Sequence, residues 1–370
     1  MGDFERDVYC IGGLPFDALD LSKTMSRLRD AKYKKTSCFL TTPNLNFLAL
    51  AQDDPDFRNS VIYSDIVIAD GAPIVWIAKL LGIPISERVA GSTLFEALGQ
   101  EWRRKMKVYF FGGPDGAGAE ACKRINEKST GLACVGYHSP GFGTVDEMSE
   151  PSVIDNINSS NADFLVVALG AKKGQAWIVK NLPKITVPLI SHLGAVINFE
   201  AKRLKRAPVK LQKIGLEWAW RIKEEPHLWK RYWNDGQFFL RLLITKIVPH
   251  VIWLKLNQQH LQKQSHNSSI ILSEDEDFSG IIISGAVLDP VSPDIRLLMR
   301  RASMQNKNVQ VDLAKAEYLS PGILGLLLLL KKQLDRHGFQ LKIVGLQPNM
   351  RKLLDWNGLT YLIEQRVEGL

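Results

Sequence analysis

One aspartate stands where a general base would be useful. The segment SDIVIAD predicts a buried strand that ends at Asp70, with Gly71 permitting a sharp turn and Pro73 suited to the first turn of the next helix. A carboxylate at the end of a strand can accept a proton or bind a metal ion. An isolated aspartate at such a position is more often a turn or N-cap residue, and that alternative stays open.

Polar side chains also follow the preceding predicted strand. In TTPNLNF, Thr42 and Asn44 flank Pro43, which keeps the chain extended before a helix begins. Their side chains could hydrogen-bond a sugar or a phosphate. Alternatively, Asn44 only caps its helix.

An arginine precedes a predicted helix start in ISERVAGSTLFEA. Backbone N–H groups and the helix dipole at such a start favour an anion, and Arg88 could add a bidentate phosphate contact. The alternative is an ion pair between Arg88 and Glu87 or another acid.

A glycine-bearing turn lies in YFFGGPDGAGAE. Gly112 and Gly113 would allow a pyrophosphate to approach the backbone closely. The segment lacks the GxxxxGK[ST] spacing and fits GxGxxG poorly, so its motif specificity is low.

The elements that must position these residues alternate in type. From residue 8 to 190, short apolar runs alternate with amphipathic stretches, which predicts a Rossmann-like α/β fold: a mostly parallel sheet with helices on both faces. Such sheets bind ligands at the carboxyl ends of their strands. Beyond Gly194 the pattern changes to helical stretches rich in Trp and Arg, and a second, small α/β unit begins near Ile270. We therefore predict an α/β domain over 1–198, a basic helical appendage over 199–256, a polar linker over 257–269 and a small α/β domain over 270–370.

The positive charge is concentrated in one segment. The chain has a net charge of +8, and residues 195–260 hold 13 Lys and Arg against 5 Asp and Glu, which accounts for all of it. Aromatic residues interleave with these cations, as in helices that lie in a membrane interface beside anionic head groups. Residues 238–256 are too apolar for a simple RNA-binding arm, so no nucleic-acid partner is expected.

Cysteine and histidine usage gives no sign of a metal site or a disulfide framework. The four cysteines are far apart in sequence, without a CxxC pair, and are expected to be reduced core thiols: Cys10, Cys38, Cys122 and Cys134. No HExxH is present, and we expect neither a metal nor a cofactor. Without a signal peptide or an apolar run of about 20 residues, the expected location is cytoplasmic and peripheral on a membrane.

Taken in order, these motifs resemble one glycosyltransferase family. The set resembles the WecG/TagA/CpsF type, glycosyltransferase family 26, over roughly residues 8–245. The motifs that carry the resemblance are TTPN, SDIVIADGAPIVW, ERVAGS, FFGG, LGAKKGQAW, HLGAVINF and the tail KRAP…GLEWAWR…EP…KRY.

The resemblance implies an inverting transfer from a UDP-sugar to a polyprenyl-pyrophosphate-linked saccharide at the inner face of the membrane. The sugar would be similar to N-acetylmannosamine or another hexose derivative, and no cofactor would be needed. Asp70 then corresponds to the catalytic base, Thr42 and Asn44 to sugar-binding residues, and Arg88 to the motif arginine. The arginines of the appendage that meet the lipid pyrophosphate correspond to Arg206, Arg221 and Arg231.

One position departs from the family pattern. The family has a Gln-Glu pair before the tryptophan of LGxPKQExW, whereas Gly174 and Gln175 precede Trp177 by three and two residues. Either Gln175 performs the glutamine's role in donor binding, or the donor sugar differs. A catalytically degenerate scaffold of the same fold is the alternative function, and a dinucleotide-dependent oxidoreductase is disfavoured by the poor glycine fingerprint.

The C-terminal unit resembles a STAS domain, carried by VDLAKAEYLSPGILGLLLLLKK. In phosphorylated members the serine before the helix glycine is the switch, and Pro321 stands there in this chain. The resemblance therefore implies docking of a protein partner or binding of a small ligand in place of a phosphoswitch. Ser320 is the other serine to consider.

Overall fold

The computed structural model describes residues 2–101, 105–213, 215–274 and 278–363. The strands are β1 (Val8–Ile11), β2 (Leu14–Asp17), β3 (Cys38–Thr41), β4 (Ile66–Val67), β5 (Met106–Gly112), β6 (Leu132–His138), β7 (Phe164–Ala168), β8 (Leu189–His192), β9 (Ser269–Glu274), β10 (Phe278–Val287), β11 (Asn308–Leu319) and β12 (Leu341–Val344). The helices are α1 (Leu21–Lys34), α2 (Leu45–Asp53), α3 (Pro55–Ile62), α4 (Ala72–Leu80), α5 (Gly91–Gly99), α6 (Ala117–Lys128), α7 (Pro151–Ser159), α8 (Ala171–Asn181), α9 (Val196–Glu200), α10 (Val209–Lys213), α11 (Glu217–Glu224), α12 (Trp229–Leu242), α13 (Val248–Ser265), α14 (Pro293–Ser303), α15 (Pro321–Arg336) and α16 (Pro348–Trp356).

The chain divides into two compact units. The larger comprises Leu19–Val75 and Ile85–Gly236. The smaller comprises the residues up to Ala18, the segment Trp76–Pro84 and the chain from Gln237 onward.

The larger unit is built on a six-stranded sheet. Its order is β4-β3-β8-β7-β5-β6, and every adjacent pair is parallel. Helices α1, α5, α6 and α9 pack on one face, around Leu40 and Phe110, while α7 and α8 pack on the other face, around Phe39 and Trp177. Strands buried on both faces are typical of parallel sheets. The predicted α/β class with helices on both faces is confirmed.

The strand order places a crevice between β5 and β7. From β5 the chain passes to β6 on one side, and from β7 it passes to β8 on the other side. Loops that leave adjacent strands in opposite directions open a crevice at the carboxyl edge, where such sheets bind ligands.

The smaller unit holds a four-stranded mixed sheet in the order β12-β11-β10-β9. Strands β10, β11 and β12 are parallel, and β9 is antiparallel to β10. Helix α15 packs on this sheet, and its residues from Pro321 to Lys332 are all buried. This is the small α/β unit that the sequence predicts from near Ile270.

The first strands of the chain belong to the smaller unit. β1 and β2 form an antiparallel hairpin around Gly12 and Gly13, whose φ values of 56° and 82° are those of a tight hairpin turn. The hairpin packs on α15, where a Cβ on Gly325 would overlap the backbone at Val8. From the sequence, these strands are expected in the α/β domain over 1–198, because nothing local to the hairpin identifies its distant partner.

The polar segment that the sequence analysis interprets as a linker is largely helical. Helix α12 continues through a π-helical segment, Leu243–Ile247, into α13, which ends only at Ser265. Residues 257–265 of the segment predicted as a polar linker, 257–269, therefore belong to α13. Gln and Lys have good helix propensity, and packing of Leu261 in the interior adds to it.

The expectation of four thiols is also corrected. Cys122 on α6 and Cys134 on β6 form a disulfide, with their Cα atoms 5.0 Å apart, whereas Cys10 and Cys38 are free and buried. Adjacent packing of the helix and strand brings the two residues within bridging distance, which their separation in sequence does not indicate.

Candidate active site

Asp70 lies at the carboxyl edge of the parallel sheet. After β4, the buried residues Ile68 and Ala69 carry the chain to this edge, and the backbone N–H of Asp70 donates to the carbonyl of Pro43 at 2.9 Å. This bond ties the end of β4 to the loop that follows β3. Asp70 is therefore held beside the TTPN segment.

The side chain of Asp70 is partly buried and faces charges of both signs. Burial raises the pKa of Asp70 to about 6, against the attraction of Arg88 and Arg206, while the charge of Glu217 acts in the same direction as burial. The carboxylate also accepts a hydrogen bond from the backbone N–H of Gly91, the first residue of α5. A carboxylate with a pKa this close to neutrality can both hold and release a proton.

Arg88 is fixed by an acid that the sequence analysis did not single out. Its Nη1 lies 2.6 Å from Oε2 of Glu217, and both side chains are mostly buried. The ion-pair alternative for Arg88 is thus realised, with Glu217 as the partner in place of Glu87. Two sequence signals point to Glu217: it is one of five acids in the basic segment, and it lies in the GLEWAWR motif.

Arg206 connects the basic tail to α5. Its guanidinium pairs with Glu96 and donates to Oγ1 of Thr93 at 3.0 Å, and both partners lie on α5. Its Nε is buried and has no hydrogen-bond partner among the described residues. Arg206 thus adds a second cation beside Asp70.

Thr42 and Asn44 lie in the same cluster. The Thr42 side chain is buried, and its Oγ1 is 3.6 Å from where a Cβ on Gly91 would stand. Asn44 caps α2, since its Oδ1 accepts from the backbone N–H of Phe47 at 3.3 Å. The capping alternative is realised, and it leaves the amide NH₂ of Asn44 uncommitted to the cap. The structure therefore brings Thr42, Asn44, Asp70, Arg88 and Arg206 together.

The glycine turn lies at the crevice between β5 and β7. Gly112 and Gly113 have φ values of 98° and 86°, and Gly113 N–H donates to the carbonyl of Ala168 at 2.8 Å. A Cβ on Gly113 would stand 2.8 Å from Ile197, so a larger residue does not fit. Three strand spacings separate β5 from β3, about 14 Å. The glycine turn and the Asp70 cluster therefore lie at separate positions along the carboxyl edge of the sheet.

Gln175 lies on the other face of the sheet from α5. It is buried on α8, and its Nε2 donates to Oγ1 of Thr41 at 3.3 Å. Its Oε1 has no partner among the described residues. The structure does not bring Gln175 into the Asp70 cluster.

Comparison with known proteins identifies this fold and site. The family model for "Glycosyl transferase WecG/TagA/CpsF family" matches residues 9–251, about two thirds of the chain, and the model for the STAS domain matches residues 270–367. The chain belongs to the WecG/TagA/CpsF glycosyltransferase family. Its C-terminal region is a STAS domain.

Curated relatives of this glycosyltransferase carry one common name. A Bacillus spizizenii protein, 28% identical over 65% of this chain and 90% of its own length, is an "N-acetylglucosaminyldiphosphoundecaprenol N-acetyl-beta-D-mannosaminyltransferase". Proteins of that name from Bacillus subtilis and Staphylococcus aureus are 24% and 22% identical, over 62% and 59% of this chain and 88% and 84% of their own lengths. The predicted family and the enzyme class are therefore confirmed.

The other two arginines predicted from the tail of the glycosyltransferase make contacts with residues outside the Asp70 cluster. Arg221 on α11 lies over the ring of Phe199, 5.3 Å from its centroid, and pairs with Glu225 at 2.6 Å. Arg231 on α12 is exposed and lies over the ring of Tyr232 at 4.8 Å. Neither is among the charges that act on Asp70.

Two further observations concern metals and membranes. Over the described ranges of the glycosyltransferase, no three His, Cys, Asp or Glu side chains are grouped so that they could hold a metal ion. In the same ranges, no helix combines the length and the apolar character needed to cross a bilayer.

Ser320 of the STAS domain is enclosed. It caps α15 by accepting from Ile323 N–H at 3.4 Å, and its hydroxyl lies 2.9 Å from Oδ1 of Asp289. Only 2% of Ser320 is exposed. This burial disfavours Ser320 as a site of phosphorylation.

Proposed function

We propose that the protein transfers an N-acetylmannosamine-like sugar from a UDP-sugar to a polyprenyl-pyrophosphate-linked saccharide, with inversion, in synthesis of a bacterial surface polysaccharide. The mechanism rests on one observation: burial raises the pKa of Asp70 to about 6, and two cations, Arg88 and Arg206, lie beside it. The names of the relatives support the acceptor and the sugar class.

In this mechanism Asp70 accepts the proton of the acceptor hydroxyl as that oxygen attacks the anomeric carbon. The bond from the anomeric carbon to the UDP oxygen breaks, and the UDP leaves with the bonding pair. Arg88, Arg206 and the N–H groups at the start of α5 are placed to balance the negative charge that builds on the diphosphate. Attack from the side opposite the leaving group gives inversion.

The donor would extend along the carboxyl edge of the sheet. Its sugar and diphosphate would lie at the Asp70 cluster, within reach of Arg88 and Arg206, and its uridine would extend towards the glycine turn at Gly112 and Gly113. The scheme assigns no step to a metal ion or cofactor. Transfer is therefore expected to persist after treatment with EDTA, and loss of transfer that Mg²⁺ restores would contradict this part of the proposal.

The scaffold alternative loses its main support. Gly174, the position that suggests decay, is occupied by glycine because a Cβ there would overlap the imidazole of His192. A packing requirement thus gives a structural reason for glycine at this position.

We also propose that the helix formed by α12 and α13 rests on an anionic lipid surface. Leu240, Ile244, Val248, Ile252 and Leu256 recur every four residues, and between 45% and 81% of each is exposed. The π-helical segment has more residues per turn than an α-helix, which helps keep this spacing on one side. No acid occurs from residue 236 to 273, whereas Arg241, Lys246, Lys255 and Lys263 do. Cations beside an apolar stripe suit the interface of an anionic membrane.

Vesicle flotation tests this placement. The full chain is expected to float with vesicles that contain anionic lipid and to remain in solution with zwitterionic vesicles. Ile244→Ser combined with Ile252→Ser should weaken flotation at least tenfold through lost apolar burial. Equal flotation of this variant and the wild type would contradict the proposed surface.

The transfer reaction is tested with purified full-length protein in detergent. A panel of UDP-sugars that includes UDP-N-acetylmannosamine is incubated with polyprenyl-pyrophosphate-N-acetylglucosamine, and the lipid is weighed by mass spectrometry. One donor should add its sugar mass, and Asp70→Asn should slow product formation by at least about 10²-fold, while Asp56→Asn, a change at an exposed site on α3, should leave it unchanged. No product from any donor on this acceptor would overturn the proposed reaction.

A further inference from the structure

One histidine at the carboxyl edge has no role in the scheme above. His192 is the last residue of β8, which lies between β3 and β7 in the sheet. Its ring faces the α8 side and lies 6.4 Å from the ring of Phe47, on the helix that Asn44 caps. His192 therefore stands between the Asp70 cluster and the glycine turn along the proposed path of the donor.

Two glycines make room for the imidazole. A Cβ on Gly174 would overlap its Cδ2, and a Cβ on Gly194 would stand 3.3 Å from its Nε2. Both positions border the same ring, from α8 and from the loop after β8. The local sequence is thus adapted to hold an imidazole in one orientation.

The hydrogen bond of the ring defines its tautomer. Nε2 lies 2.6 Å from the carbonyl oxygen of Leu169, and because a carbonyl only accepts, Nε2 carries the proton. Burial lowers the pKa of His192, which keeps the ring neutral at pH 7. In a neutral imidazole protonated on Nε2, Nδ1 is a hydrogen-bond acceptor.

The second ring nitrogen is left for a ligand. His192 is 91% buried, yet no donor among the described residues meets Nδ1. Nδ1 keeps some exposure to solvent, since it is not one of the fully buried polar atoms that lack a partner. A buried but accessible acceptor lacks its donor in the protein alone.

We propose that His192 is a sugar-contacting residue, whose Nδ1 accepts a hydrogen bond from a hydroxyl or acetamido N–H of the donor sugar. This inference rests on the proposed function. A neutral acceptor repels the oxygens of a pyrophosphate and selects a group with a polar hydrogen. In the UDP-sugar such groups belong to the sugar and the uridine, and the position of His192 next to the Asn44 helix favours the sugar.

Two substitutions separate the polar role of the ring from its volume. His192→Phe keeps the ring and removes both nitrogens, whereas His192→Asn places its amide oxygen near the position of Nδ1. Binding of UDP and of UDP-N-acetylmannosamine to the full chain is measured by calorimetry, together with KM and kcat for transfer. UDP lacks the sugar and serves as the matched probe.

For His192→Phe we expect UDP affinity within about twofold of wild type and UDP-sugar affinity reduced about tenfold, the scale of one hydrogen bond. His192→Asn should recover most of the UDP-sugar affinity. An equal loss of UDP affinity would show that His192 contacts uridine or that the variant is misfolded. Unchanged UDP-sugar affinity would show that His192 makes no contact with the sugar. Either result overturns the proposal.

A measurement on the wild type avoids dependence on folding of the variants. The ¹⁵N resonance of Nδ1 in His192 should shift when the UDP-sugar is added and stay in place when UDP is added. The same shift with UDP would overturn the inference. If the wild type binds and transfers no UDP-sugar, the proposed function itself fails, whereas transfer without any effect at His192 refutes only the residue's role.

Discussion

At the residue scale, the chemistry centres on a carboxylate whose protonation is set by its neighbours. Asp70 must be unprotonated to accept a proton, and its pKa is raised to about 6 by burial. The rate should therefore rise as pH increases through about 6 and become level above it. Measurement of kcat/KM from pH 4.5 to 8.5 checks this, and a profile flat down to pH 4.5 would contradict it.

The neighbouring charges should move this pH dependence in opposite directions. Glu217→Gln removes a negative charge that raises the pKa of Asp70, so the acid limb should move to lower pH. Arg88→Gln removes the cation that most lowers that pKa, so its limb should move to higher pH, with a lower plateau as well. The same pH titration of both variants provides the comparison. Shifts in the same direction would show that the limb does not report Asp70.

Replacement of Asp70 should slow the reaction by the factor that a general base contributes. Asp70→Asn keeps the size of the side chain and removes its basicity, so kcat should fall by about 10² to 10⁴. The binding of UDP should change little, because the amide can still accept from Gly91. A fall in kcat of less than tenfold would show that another group takes the proton.

At the element scale, the α13 helix carries a histidine that has no partner. His250 is 1% exposed, stacks on Trp356 of α16 at 5.4 Å, and lies 6.5 Å from Tyr318 of β11. Neither ring nitrogen has a hydrogen-bond partner among the described residues. Burial lowers the pKa of His250 to about 4, so the folded protein holds this ring neutral.

This burial makes the smaller unit sensitive to acid. The unfolded chain takes up the proton near pH 6.5 and the folded chain only near pH 4, so stability is lost as pH falls between these values, by about 3 kcal/mol in total. His250→Phe should remove that loss, whereas His266→Phe, at an exposed position, should retain it. Hydrogen exchange of the α13 amides from pH 7.5 to 4, corrected for the intrinsic exchange rate at each pH, measures the difference. An equal slope in wild type and His250→Phe would contradict the assignment.

An element or contact can be predicted from the sequence when the residues that determine it lie close together along the chain. The alternation of apolar runs and amphipathic stretches predicts the parallel sheet, and the SDIVIAD strand delivers Asp70 to its edge as expected. The partner of Arg88 could not be predicted, because Glu217 lies 129 residues away in sequence. The contact between His192 and Gly174 could not be predicted either, because the two residues lie on different elements. Packing across distant segments leaves no periodic signal.

At the scale of the whole molecule, buried charges in the smaller unit connect residues that are far apart in the sequence. Lys332 of α15 is fully buried and lies 2.9 Å from Asp3, which also lies 3.0 Å from Arg6. Arg6 in turn donates to both carboxylate oxygens of Asp17, at 3.0 and 2.7 Å. The network links the N-terminal hairpin to the STAS domain, and each charge within it depends on the others for compensation.

Removal of one charge from this network should therefore cost more stability than replacement of both partners of an ion pair by apolar side chains. Asp3→Ala leaves the buried Lys332 and Arg6 with less compensation and should destabilise the smaller unit by about 3 to 5 kcal/mol, whereas Asp3→Leu combined with Lys332→Met should be close to neutral. Because the chain has two units, global unfolding is a poor measure, and hydrogen exchange of the α15 amides reports this unit directly. Faster exchange is expected in Asp3→Ala than in the variant with Asp3→Leu and Lys332→Met. Equal exchange in the two variants would mean that the hairpin is held by its apolar contacts with α15 alone, and that the STAS domain keeps its structure without the charged N-terminus.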